Sequence, residues 1–208
     1  MVEPDAGPRR RIAIALAVVA GVAYCSWPLG YVLNPLVSRR GLASELAALH
    51  QPYNWLFILL DVLAGTLIVA VARLLRGHAH RRMDAFALVN YALFGLLTAI
   101  DAALPMTCEP SLTTCPSLSH QPVLILHGIA SIGASVCLFL SAVVVWGQKR
   151  GKNGGAIVTT FMVGWLVFGV LSLYFLVRPG PGYLVQRYYI TLCSAWIMAL
   201  PSMLVPRG

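Results

Sequence analysis

Six stretches of the chain, about 11–34, 53–75, 84–105, 122–147, 155–177 and 184–205, run apolar for twenty residues or more. A bilayer core about 30 Å thick is crossed by about 20 residues of helix. In hydrocarbon, only helices and closed barrels satisfy every backbone donor and acceptor. The pattern predicts an all-α, polytopic membrane protein: a bundle of six transmembrane helices in which residues 1–203 form a single domain. Composition agrees, with 59% hydrophobic and 11% charged residues against roughly 25% charged in soluble domains. The first stretch follows Arg9, Arg10 and Arg11. It is too long for the apolar region of a signal peptide and lacks a cleavage site, so it is read as the first helix. The last five residues, 204–208, read LVPRG. They match what a thrombin-cleavable tag leaves behind, and the natural chain is expected to end near Met203.

A net charge of +8 in 208 residues would suit a nucleic-acid partner, but most of the cations flank apolar stretches, as topology signals do. One side holds Arg9, Arg10, Arg11, Arg73, Arg76, Arg81, Arg82, Lys149, Arg150 and Lys152; the other holds Arg39, Arg40, Arg178 and Arg187. The richer side is expected to be cytoplasmic, and with six spans both termini lie there. The expected partners are membrane lipids and a small amphiphilic ligand, with no nucleic acid. Cys108 and Cys115 lie in MTCEPSLTTCPS, a loop this orientation puts outside, where disulfides persist. A bond between them is expected, since no CxxC spacing supports a metal pair. Cys25, Cys137 and Cys193 lie within spans as small packing residues.

Three ionisable residues sit where a bilayer should exclude them. Counted at 1.5 Å per residue, Asp101 lies about 6 Å below Pro105 and His127 about 7 to 8 Å below Pro122, while Asp61 lies about 12 Å below Tyr53. Asp101 and His127 therefore share a level, with Glu45, His50, His120 and Arg187 expected above them at the outer rim. His120, His127, Ser131 and Ser135 recur at intervals of seven, four and four, which makes one polar face of a helix. Asn90, Thr98 and Asp101 form a second stripe, Asn54, Asp61 and Gly65 a third, and Arg187, Thr191 and Ser194 a fourth. The stripes predict an outward-opening polar cavity. Leu42, Leu46 and Leu49 in the first outside loop have the spacing of an amphipathic surface helix.

A charge in the membrane costs at least about 2.5 to 3.5 kcal/mol on insertion scales. A purely structural acid–histidine pair is one reading of Asp101 and His127. The accumulation of acids and histidines toward one side favours a functional site. Asp101, His127 and Asp61 are the candidates for catalysis or proton exchange, and Glu45, His50, His120, Ser131 and Arg187 for ligand contacts. His127, Asp101 and His120 are the candidate ligands if zinc is bound. No phosphate loop, dinucleotide fingerprint, nucleophile elbow or HExxH motif occurs.

The sequence LASELAALHQP, then DVLAG, then LFGLLTAIDAALPMTC followed by HGIAS, resembles a bacterial membrane family catalogued as a domain of unknown function, number 998. The resemblance covers roughly residues 15–200 and rests on Asp101, Pro105 and His127. It implies a six-helix bundle in a bacterial inner or plasma membrane and no particular chemistry. A weaker similarity links the chain to the ceramidase and progestin-receptor-like superfamily, whose zinc is held by three histidines near an aspartate and a serine; the paired HxxxH of that group is absent here. Two classes of function follow: a metal-dependent membrane hydrolase or transferase acting on a lipid, or a binding or transport protein in which Asp101 or Asp61 exchanges protons. An accessory subunit without a ligand is a third.

Overall fold

The computed structural model describes residues 6–79, 81–109, 122–151, 154–177 and 182–204, all of it helix, turn or irregular chain with no strand. Its α-helices are α1 (Ala6–Tyr24), α2 (Gly30–Leu33), α3 (Pro35–Arg40), α4 (Asn54–Leu75), α5 (Arg82–Ala102), α6 (Pro122–Lys149), α7 (Gly155–Val177) and α8 (Gly182–Leu204). Among the described residues, five helices are long and apolar enough to cross a membrane: Gly7–Leu33, Asn54–Leu75, Arg82–Ala102, Pro122–Lys149 and Gly155–Tyr174. Helix α8, where a sixth span is expected, is 23 residues long but falls outside that group, because Gln186 and Arg187 lie in its opening turns. Its last residue, Leu204, is buried in the core.

Between helices already in lipid there is little hydrophobic drive, so close packing of small residues and interhelical hydrogen bonds hold a bundle together. Helix α1 buries Ala13, Ala17 and Ala20 completely; their spacing places them on one face, which packs against α4 and α8. Helices α4 and α5 cross at Gly65 and Gly95. A Cβ on Gly95 would stand 2.6 Å from the Gly65 carbonyl oxygen, and one on Gly65 would meet the Gly95 carbonyl in turn. Only glycine lets these two backbones approach so closely.

Helix α8 is tied to several neighbours through polar groups. Tyr91 of α5 donates its hydroxyl to the Ile197 carbonyl at 2.9 Å. The Trp196 indole donates to Ser141 Oγ of α6 at 3.1 Å and stacks on Phe161 of α7, with ring centroids 4.7 Å apart.

The first span is interrupted after Tyr24 and resumes as a short 3₁₀ turn at Trp27–Leu29 followed by α2, as expected where Pro28 has no N–H to continue the ladder. The following segment is not an amphipathic helix lying on the membrane. It forms α3, capped by Asn34 accepting from the Val37 N–H, and a 3₁₀ turn at Ala43–Ala47. Leu46 is buried whereas Leu49 is exposed, so the expected leucine stripe is broken. Val37 and Leu46 meet Phe57 of α4 in a small second core that seats this cap on the bundle. Polar ties join the same end: Asn34 donates to Gln51 at 2.7 Å, Gln51 donates to Glu109 at 3.0 Å, and the Leu49 N–H donates to the Met106 carbonyl at 2.9 Å.

Candidate functional site

Helix α5 ends at Ala102, three residues before Pro105, since the residue preceding a proline is pushed out of the helical region. Asp101 thereby falls in the last turn. Helix α6 opens with Pro122, a residue suited to the first helical position, so His127 falls in its second turn. The two helices are extensively packed against each other, and these offsets bring the residues together. His127 Nδ1 lies 3.0 Å from Asp101 Oδ1 and 3.3 Å from the Asp101 carbonyl oxygen. Both neighbours are acceptors, so Nδ1 carries the proton and, in the neutral ring, Nε2 carries the lone pair. Ser131, one turn further along α6, donates to both carboxylate oxygens at 3.0 Å each. The His127 side chain is 11% exposed and that of Asp101 22%, so the pair is sheltered but reachable.

Asp61 of α4 is half-buried and makes no hydrogen bond among the described residues. It interacts electrostatically with Asp101, and Tyr24 of α1 feels both carboxylates. Tyr24 is held edge-on to Phe94, with ring centroids 5.4 Å apart. Four helices thus contribute to one cluster: Tyr24, Asp61, Asp101, and His127 with Ser131. Tyr24 is not among the sequence candidates; the signal that marks it is a phenol in the last turn of α1, after a run that is apolar from Ile12 to Ala23.

The other sequence candidates that the structure describes have no hydrogen bond to Asp61, Asp101 or His127 among the described residues. Arg187 is engaged with the segment that follows the first span. It is buried and donates to the Val37 and Gly41 carbonyls at 3.4 and 3.1 Å and to the Tyr31 hydroxyl at 3.1 Å. The rings of Trp27, Tyr31 and Tyr183 surround its guanidinium at 5.3 to 5.7 Å. A guanidinium with carbonyls for its donors and aromatic faces for its charge can be buried at tolerable cost; its role here is to hold the cap. Glu45 is fully buried and accepts from the Leu42 N–H at 2.9 Å, closing the turn that begins there. His50 is exposed.

His120 and Cys115 lie outside the described residues. Cys25, Cys137 and Cys193 are free thiols, and Cys108 is not among them. No group of three His, Cys, Asp or Glu side chains poised for a metal occurs among the described residues. The stripe residues Asn90 and Thr98 bond back to Phe86 and Phe94 of their own helix, and so satisfy themselves rather than line a site.

Among the described residues, an open cavity lies elsewhere. A groove of about 650 Å³ runs along α4 and α5, with Arg9 of α1 and Arg73 of α4 contributing its cations. None of Asp61, Asp101 and His127 lines it.

The apolar helices and the polar cluster between them define an integral membrane protein built as a helical bundle. Residues 17–203 match the family described as protein of unknown function (DUF998), and the chain belongs to that family. No curated protein and no solved structure matches it, so the similarity to the ceramidase-like superfamily gains no support from these comparisons.

Proposed function

We propose that this protein is a six-span membrane protein, with both termini cytoplasmic, that binds the cationic polar headgroup of an amphiphile at Asp61, Asp101 and His127, in the outer half of a cell membrane. The observation that carries the reading is the geometry of one carboxylate: Asp101 holds His127 Nδ1 at 3.0 Å and accepts Ser131 on both oxygens. This fixes the imidazole in one tautomer, so that Nε2, which makes no hydrogen bond among the described residues, is the ring's acceptor. Asp61 supplies a second carboxylate. With both carboxyls ionised, the two acids outweigh one imidazole in charge whether or not the ring is protonated, and an ammonium group offers both the compensating charge and the donors they lack.

Hydrolysis is the weaker reading. A serine nucleophile needs its hydroxyl on the basic nitrogen of a histidine, whereas Ser131 donates to the carboxylate. Proton exchange by the same groups is the second reading, favoured by Asp61 having no hydrogen-bond partner among the described residues. The test is thermal stabilisation of the full chain, in phosphatidylcholine nanodiscs, by a long-chain primary amine against the alcohol of equal length. The amine is expected to stabilise the wild type and to lose at least ten-fold in apparent affinity in Asp61→Asn and His127→Ala. Equal response to amine and alcohol, or variants that respond like the wild type, would rule the assignment out.

A further inference from the structure

We infer that the groove between α4 and α5 seats a phospholipid with an anionic headgroup, one acyl chain lying along the helices and the phosphate between Arg9 and Arg73. None of Asp61, Asp101 and His127 lines this site, and it does not depend on them. Gly65 and Gly95 force α4 and α5 into backbone contact, and beyond that crossing the groove opens between them. Its walls are Val69, Ala70, Leu96 and Ala99, and no carboxylate lines it.

From Gly65 to Arg73 it runs along eight residues of α4, about 12 Å, ending where the helix reaches the basic end of the bundle. Arg9 closes that end from α1, which packs against α4. Leu96 and Arg73 are exposed, so the groove opens sideways toward lipid rather than into the bundle. An apolar trough terminated by two guanidiniums matches an acyl chain terminated by a phosphate. Basic pockets between membrane helices recognise anionic headgroups in this way, and arginine meets phosphate through paired donors.

The experiment is native mass spectrometry of the full chain released from micelles containing phosphatidylglycerol or phosphatidylcholine with identical acyl chains. The wild type is expected to retain phosphatidylglycerol preferentially. The double variant Arg9→Gln, Arg73→Gln is expected to lose that preference by roughly twenty-fold, since each cation near a phosphate contributes a factor of about five. Arg39→Gln with Arg40→Gln, the same charge change on exposed residues at the other end, is expected to leave it intact. Ala70→Phe, which fills the trough, is expected to weaken retention of both lipids. Should Ala70→Phe fail to fold, the two charge variants decide alone, because all four arginines are exposed. Equal retention of phosphatidylglycerol by the wild type and the Arg9, Arg73 variant would overturn the site. So would a loss of equal size in the Arg39, Arg40 variant, or a dimer of the chain that Ala70→Phe dissociates.

Discussion

Gly65 and Gly95 face each other across α4 and α5 so closely that neither position has room for a methyl group. The crossing sets the distance between the helix carrying Asp61 and the helix carrying Asp101, and it also opens the groove on the lipid side. Gly65→Ala and Gly95→Ala are each expected to destabilise the bundle by about 1 to 3 kcal/mol through overpacking, outweighing the better helix propensity of alanine. Gly77→Ala, where nothing stands within 4 Å, serves as the control. Chemical unfolding in mixed micelles measures the difference.

Arg187 holds the cap. Arg187→Lys keeps the charge but cannot reach Tyr31, Val37 and Gly41 together, and it is expected to cost about 2 kcal/mol, within the range for hydrogen bonds from a charged donor. Hydrogen exchange should accelerate across residues 31–47 while the α5 and α6 amides stay protected. Uniform acceleration over the whole chain would show instead that Arg187 supports the bundle as a unit.

The outer loop and the topology are tested together. With Cys108 bonded to Cys115, both thiols should resist alkylation until reductant is added, whereas equal labelling before and after would refute the bond. With six spans, a tag within residues 76–83 should be inaccessible from outside the cell and one beside Arg39 accessible; the reverse pattern would remove the proposed orientation.

Ser131→Ala removes one donor from the Asp101 carboxylate and leaves His127 in place. It is expected to cost about 1 kcal/mol of stability and to weaken binding of the long-chain amine less than His127→Ala does. An effect as large as that of His127→Ala would mean that the hydroxyl itself touches the ligand.

Much of the architecture is legible in the sequence because hydrocarbon imposes a length on every crossing element. The same counting puts Asp101 and His127 on one level, and spacing by four puts Ser131 below His127, because depth and face are local properties of a helix. The cap is not local. Arg187 looks like a rim charge until Tyr31, Val37 and Gly41, some 150 residues earlier, are seen folded over it, and Glu45 looks solvent-facing until its turn is buried against Phe57. The groove is equally hidden, since Gly65 in a run of apolar residues reads as a small residue on a polar stripe, and only its meeting with Gly95 reveals a crossing. Tyr24 was missed because nothing in its own helix announces that Asp61 and Asp101 lie opposite.

The most direct test of the proposed binding site is ¹⁵N nuclear magnetic resonance of histidine-labelled protein in nanodiscs, with the His127 signals assigned by their loss in His127→Ala. In the neutral ring, Nδ1 should be protonated and Nε2 unprotonated, as the two acceptors around Nδ1 require. The long-chain amine should shift Nε2 while Nδ1 keeps its proton, and the matching alcohol should shift neither. A ring protonated only on Nε2, or an Nε2 signal that ignores the amine, would contradict the assignment of His127 as the acceptor that Asp101 orients toward a cationic ligand.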